Sequence, residues 1–178
     1  GKFRIRDFRN YGKELSVTNI IVKSSNIGTA RLAQQIGAGR QREFMQSLGM
    51  LEATPFEIVE AQGGQPLLPK NWSELSTMTI SYGHGLSTSP MHLAAGYAAI
   101  ANGGYYVKPT ILKQSGPVSG PRVISEQSAA ASRMMLRQVV TEGTASFGEV
   151  PGYAVGGKTG TADKPKARGG GYYENKVI

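Results

Sequence analysis

Cysteine is absent from the 178 residues. Disulfides, thiol nucleophiles and cysteine-zinc sites are therefore excluded, while the redox compartment stays open. Histidine is nearly absent as well. His84 and His92 are the two imidazoles, and eight residues apart they make a poor metal pair, so no metal and no cofactor is expected. No apolar run approaches the roughly 20 residues that span a bilayer as a helix. The start, Gly1-Lys2-Phe3-Arg4, has neither an initiator methionine nor a secretory leader pattern and reads as a cut end. Nucleic-acid motifs are also missing: there is no C-x-x-C finger, no aromatic RNP pattern and no basic heptad helix.

What is present is globular. Hydrophobic residues make up 39% and charged residues 18% of the chain, at a length typical of about one domain. Gly and Pro together number 33, but without the strict period of collagen. The net charge is +8 and unevenly placed. Residues 1–42 hold nine Lys/Arg against two Asp/Glu, residues 43–157 six against eight, and residues 158–178 five against two. Basic ends around a near-neutral middle suit an anionic polymer or an acidic substrate. With no motif behind it, the charge does not argue for nucleic acid.

The periodicity predicts mostly helix. A helix beginning near Ser25 runs to about Ile36, with Ile27, Ala30, Ala33 and Ile36 at three-residue steps and Gly37 and Gly39 to end it. A second spans about Arg40 to Leu48, with Phe44, Met45 and Leu48 on one face and Gly49 as its stop. Residues 61–72 read as loop. Ser89-Pro90 is a strong start signal, Ser as N-cap and Pro at the first helical position. The helix that follows carries Leu93, Tyr97 and Ile100 on one side, stops at Asn102-Gly103-Gly104, and has the alanine content of a closely packed helix. Ser125 caps a further helix ending at Gly143. Residues 105–112 and 121–124 are expected as short strands, 152–162 as a Gly-rich strand, Pro165 to Gly171 as a loop, and Tyr172 to Ile178 as a strand that stops abruptly. The fold class is α+β: mostly helical, with a small antiparallel sheet.

Gly152-Tyr-Ala-Val-Gly-Gly157-Lys158-Thr159 matches the phosphate-loop pattern G-x-x-x-x-G-K-[ST] letter for letter. That chemistry needs a strand before the loop and a helix after it, since the helix N-terminus receives the phosphates. Here Gly160 follows at once, then Lys164-Pro165 and a glycine triplet, which cannot start a stable helix. A nucleotide-binding module is thus a minor alternative. Read instead as a strand, Lys158-Thr159-Gly160-Thr161 puts Thr159 and Thr161 on one face. Two hydroxyls beside a cation can hold a carboxylate, and Gly156, Gly157 and Gly160 leave room for a peptide to lie along the edge. The plain alternative is an ordinary Gly-rich edge strand.

Ser24-Ser25-Asn26, directly before a helix, is S-x-N in Ser24 and Asn26. Taken alone it is explained by helix capping. Together with K-T-G downstream it matches two of the three elements of the set S-x-x-K, S-x-N and K-T-G. Five longer stretches extend the match: Val22-Lys-Ser-Ser-Asn-Ile-Gly-Thr-Ala, Ser81-Tyr-Gly-His-Gly-Leu, Ser89-Pro-Met-His-Leu-Ala, Tyr97-Ala-Ala-Ile-Ala-Asn-Gly-Gly and Val155-Gly-Gly-Lys-Thr-Gly-Thr-Ala. Over roughly residues 14–178 the chain resembles the transpeptidase domain of class B penicillin-binding proteins, most of all the division-specific FtsI type, a fold shared with the serine β-lactamases. One element departs from the pattern. No Ser in the chain has Lys three residues later, so the resemblance places the nucleophile before Gly1 and makes residues 1–178 an internal, partial transpeptidase domain with no second domain.

The resemblance implies a peptidoglycan D,D-transpeptidase that works through an acyl-enzyme and is a target of β-lactam antibiotics, with this stretch inactive alone. It implies that Ser24 relays protons toward the leaving amine, that Asn26 hydrogen-bonds the substrate amide, and that Lys158 sits against Ser24. It implies that Thr159 and Thr161 bind the terminal carboxylate beside Gly160, with the Thr161 N–H as one oxyanion-hole donor. The implied partners are peptidoglycan stem peptides, a division glycan synthase and divisome proteins. The implied location is the periplasmic face of the bacterial inner membrane, with a transmembrane anchor outside this chain. A β-lactam sensor or β-lactamase, or a non-catalytic wall-binding module, are the alternatives. His84 and His92 are read as structural rather than as bases. Lys164, Lys166 and Arg168 with Gly169 to Gly171 are read as a loop over the site.

Overall fold

The computed structural model describes residues 4–166 and 172–177. Seven α-helices dominate these residues: α1 (Val17–Val22), α2 (Asn26–Ile36), α3 (Ala38–Ser47), α4 (Val59–Gln62), α5 (Glu74–Ser81), α6 (Pro90–Ala101) and α7 (Glu126–Thr141). A single 3₁₀ turn follows at Ser146–Gly148. Two strands, β1 (Asp163–Pro165) and β2 (Tyr172–Val177), pair antiparallel with an irregular register. The expected loop over 165–171 lies largely outside the described residues, but Lys164 and Pro165, read as part of that loop, belong to β1 because that strand pairs with β2.

Serine writes most of the helix starts. Ser16, Ser25, Ser73 and Ser125 each accept, through the side chain, a backbone N–H from the first turn of α1, α2, α5 and α7. Each thereby satisfies a donor that has no partner within the helix. Gly37, at φ 83°, closes α2 and opens α3 in one left-handed residue. The expectation missed the one-turn α4, whose Ala61 and Gln62 fall in the stretch 61–72 read as loop, and it missed α1 and α5. At six and eight residues α1 and α5 are too short to show a full apolar period, and their serine caps were the available signal.

Two helix faces differ from expectation. On α2 the buried residues are Ala30 and Ala33, while Ile27 and Ile36 are exposed. A three-residue step falls 60° short of a full turn, so positions nine apart point to opposite sides. On α6 the buried face is His92, Ala95 and Ala99, and Leu93 and Tyr97 are exposed. α6 packs against α7, where Ala129 is also fully buried. Small side chains on both helices let the axes approach, and the larger stripe of α6 is left outside, where Tyr97 and Ile100 line an open groove of about 830 Å³ with Met134.

The strands expected at 105–112 and 121–124 reduce to one bridge, Tyr105 with Arg122. Pro109, Pro117 and Pro121 supply no N–H to extend it. The expected strand at 152–162 is not one either. Its Gly157 N–H donates to the Leu136 carbonyl at the inner face of α7, 3.1 Å away. A helix carbonyl offers one such bond rather than a ladder.

The core that matters for the site joins Val22 of α1, Val139 and Val140 of α7, and Ala145, with Ile21 and Val155 packed against it. Val22 lies two residues before Ser24 and Val155 three before Lys158. One small apolar cluster therefore anchors both segments that carry the candidate polar residues.

Candidate active site

Ser24 lies in the tight turn between α1 and α2 and has φ 56°. It is the one residue other than glycine with left-handed backbone among the described residues. That conformation is uncommon and costly for a serine, and such strain tends to sit where geometry is needed. Ser25, not Ser24, caps α2: its Oγ accepts the Gly28 N–H at 2.9 Å. The Ser24 hydroxyl is thus released from capping. The Lys158 ammonium donates to its Oγ at 2.7 Å across 134 residues of sequence. A second Lys158 donor goes to the Thr159 carbonyl at 3.0 Å.

Lys158 is half-buried, and burial lowers its pKa below the ordinary lysine value. No carboxylate is paired with it among the described residues. Desolvation without a counter-charge makes the ammonium give up its proton more readily than that of a surface lysine. A lysine partnered with a serine hydroxyl in this way can pass a proton to and from Oγ.

The segment that carries Lys158 is held by α7. Arg137 donates two parallel bonds to the Glu149 carboxylate, at 2.6 and 2.8 Å, and one to the Val155 carbonyl at 2.8 Å. Hydrogen bonds from Arg137 hold the Glu149 carboxyl below its usual range. The Gly157 N–H bond to Leu136 completes the clamp. Replacing Arg137 by Gln is expected to speed amide exchange at Gly157 several-fold relative to the α7 interior; unchanged protection would show that Arg137 does not fix this segment.

The remaining predicted residues fall as follows. Asn26 and Thr161 line one pocket of about 480 Å³, together with Arg6, Thr79, Tyr82 and His84. Asn26 Nδ2 donates to the Arg6 carbonyl at 3.1 Å, which leaves its side-chain oxygen to face a ligand. Thr159 shares a hydrogen bond with Thr144 at 2.7 Å between hydroxyls, so its side chain is oriented from the segment after α7. Gly160, between the two threonines, has open space where a side chain would stand. Sequence reasoning does not single out Thr144, although Gly143-Thr144-Ala145 directly follows α7.

His92 is a core residue. It is fully buried, its Nδ1 accepts the Ser89 N–H at 3.1 Å, and its Nε2 lies 3.0 Å from the Glu52 carbonyl. His84 lines the pocket and stacks at a tilt on Tyr82, centroids 5.4 Å apart. The phosphate-loop reading fails on the backbone: α7 and a 3₁₀ turn precede residues 152–159, no helix follows them among the described residues, and Lys158 is committed to Ser24. Among the described residues no cluster of His, Asp and Glu could hold a metal ion.

A polar pair brought together across the whole chain, on a mostly helical frame, with K-T-G and S-x-N as its two halves, defines a family. The model of the penicillin binding protein transpeptidase domain matches residues 1–178, and the chain belongs to that family. It is 36% identical over 165 residues to a probable peptidoglycan D,D-transpeptidase FtsI of Caulobacter vibrioides, covering 90% of this chain and 28% of that protein. Among solved structures, the TP domain of Burkholderia pseudomallei penicillin-binding protein 3 superposes with TM-score 0.86 at 39% identity, covering 96% of this chain and 52% of that one. Mycobacterium tuberculosis penicillin-binding protein 3, solved in complex with ampicillin, gives 0.84 at 31% identity, covering 97% of this chain and 42% of that one. The chain therefore spans between a quarter and a third of the length of its FtsI relative.

Proposed function

We propose that the protein carrying this chain is a serine-type peptidoglycan D,D-transpeptidase of the division branch, and that these 178 residues supply the proton-handling and substrate-binding side of its site. The observation that carries the reading is the 2.7 Å contact from Lys158 to the left-handed Ser24. Sequence identity to FtsI-named relatives and the ampicillin complex of a structural neighbour support the choice of substrate class.

In the proposed reaction, a serine from a part of the protein outside these residues attacks the D-Ala-D-Ala carbonyl of a stem peptide. Its hydroxyl proton ends on the leaving D-Ala amine, and the acyl group rests on the serine as an ester. An amine of a second stem then attacks the ester, gives up a proton and releases the serine. Lys158 keeps the Ser24 hydroxyl oriented to relay the proton toward the leaving amine. Asn26 presents its carboxamide oxygen to a substrate amide. Thr159 and Thr161 receive the terminal carboxylate, with the Thr161 N–H as one oxyanion donor, a contribution worth about 10²–10³ in rate. The antiparallel pair β1 and β2 is read as one edge of a small sheet, in one transpeptidase domain of which these residues are a part. Stem peptides and β-lactams are the proposed ligands, and a division glycan synthase and divisome proteins the proposed partners. The proposed location is the periplasmic face of the inner membrane. No described helix is long and apolar enough to cross a membrane.

Labelling with a fluorescent penicillin tests this. The full-length protein is expected to take up one denaturation-resistant label, and residues 1–178 alone none, since no S-x-x-K is present. Stoichiometric labelling of residues 1–178, or none of the full-length protein, overturns the reading.

A further inference from the structure

The turn that presents Ser24 is gripped from one side. Residues 6–11 run along it and bond four of the five residues from Lys23 to Ile27. The Tyr11 hydroxyl donates to the Lys23 carbonyl at 3.0 Å. The Ser25 hydroxyl donates to Asp7 Oδ2 at 2.8 Å, and the Ile27 N–H donates to Asp7 Oδ1 at 3.0 Å. The fourth bond runs from the Asn26 side chain to the Arg6 carbonyl. Ser24 alone is skipped, and its hydroxyl goes to Lys158.

Asp7 is the centre of this grip. Both its oxygens are used, one by a side-chain hydroxyl and one by a backbone donor of the first turn of α2. Ser25, 1% exposed, passes the contact on by accepting the Gly28 N–H. A carboxylate also suits the positive end of an 11-residue helix. The two flanks of Ser24 are thereby fixed, and a serine that favours other backbone conformations is left with the left-handed one.

We propose that Asp7 is a positioning residue for the transpeptidase site: by holding Ser25 and Ile27 it sets the Ser24-Ser25-Asn26 turn so that the Ser24 hydroxyl meets Lys158, without touching the reactants. This rests on the function proposed above. A displacement on the order of 1 Å in a catalytic group costs up to about 10²-fold in rate, so the effect belongs in the acylation step rather than in binding. Asparagine at position 7 can keep its oxygen on the Ile27 N–H, but it has to donate to the Ser25 hydroxyl that now donates to Asp7, and it loses the charge, so the grip is weakened rather than abolished.

The test uses the full-length protein and a fluorescent penicillin, with acylation followed over time at several concentrations. In Asp7→Ala the acylation rate constant is expected to fall tenfold or more, with the dissociation constant of the complex before acylation changed less than twofold and full labelling reached at long times. Asp7→Asn is expected to fall between Asp7→Ala and the parent. Parental rate constants in both variants overturn the proposal. So does a loss of labelling stoichiometry in which the remaining molecules react at the parental rate, because that is the signature of a residue needed only for folding. Should Asp7→Ala not accumulate, Asp7→Asn carries the same comparison. A parental protein that takes no label would sink the transpeptidase reading instead. In that case the contact itself decides on Asp7: the NMR chemical shifts of the Ser24 and Lys158 side chains are expected to move in Asp7→Asn as the 2.7 Å contact loosens, and unmoved shifts overturn the proposal.

Discussion

In the full-length protein, Lys158→Met is expected to lower the penicillin acylation rate by about 10²–10⁴, the range of a positioned proton-transfer group. The side chain stays unbranched and close in reach but loses the amine's donors and lone pair, so the Ser24 hydroxyl loses its partner at position 158. Stability is expected to move the other way. Burial lowers the Lys158 pKa in the folded protein, so between that value and the ordinary lysine value the unfolded chain binds more protons. The charged amine therefore weighs against folding below its folded pKa, and stability rises with pH through that window. Methionine removes the buried charge and with it that dependence. A melting temperature equal to or above the parental one, together with lost acylation, is the expected pair of results. The acylation rate of the parent is expected to rise with pH as Lys158 loses its proton, and Lys158→Arg is expected to flatten that rise, since arginine stays charged. Parental acylation by Lys158→Met would show that the contact with Ser24 is not functional.

Gly143→Ala is expected to be the most destabilising single-methyl change near the site, at about 3 kcal/mol, the upper part of the usual overpacking range. A Cβ at 143 would stand 2.5 Å from the Val22 carbonyl oxygen, 2.8 Å from that of Val139 and 2.9 Å from the Val139 Cα. All three are backbone, and a rotamer change relieves none of them. The obstruction falls where α1 meets α7, within two residues of Ser24 on one side and next to Thr144 on the other. For a chain of this size the melting temperature is expected to drop by about 6–12 °C. Gly96→Ala is the control of opposite sign. Gly96 is inside α6, and a Cβ there would meet nothing within 4 Å. Alanine is expected to stabilise by about 0.5–1 kcal/mol through helix propensity. Equal melting temperatures for the two variants would refute the packing argument.

The pairing at the heart of the candidate site was legible because the residues proposed for it are concentrated in short motifs. S-x-N at Ser24 and Asn26 and K-T-G at Lys158 pointed to one groove, and the 2.7 Å contact joins them. What surrounds the motifs was not legible. Asp7 acts through residues 18 and 20 positions away, and an aspartate in a basic, aperiodic stretch carries no local sign of that. Arg137 looks like one more charge on an amphipathic helix, until Val155 and Glu149 come within reach. The long helices α2, α3, α6 and α7 followed from their start and stop signals, whereas the faces that α2 and α6 bury did not follow from the spacing of their large apolar residues. The glycine-rich stretch at 152–162 misled because extended residues become a strand only through a partner strand, which lies outside any local window.

The 134 residues between Ser24 and Lys158 also say something about the order of assembly. Closing a loop of that length costs about 2 kcal/mol more in chain entropy than closing the 18-residue loop from Asp7 to Ser25. The turn can therefore form around Asp7 and Tyr11 before its cation arrives, and the left-handed serine is held ready by its own near neighbours in the chain. The late step is docking of the segment after α7 onto Val22, and with it the arrival of the amine. A folding experiment that follows the Tyr11 environment and the Lys158 amine separately should see the first settle well before the second.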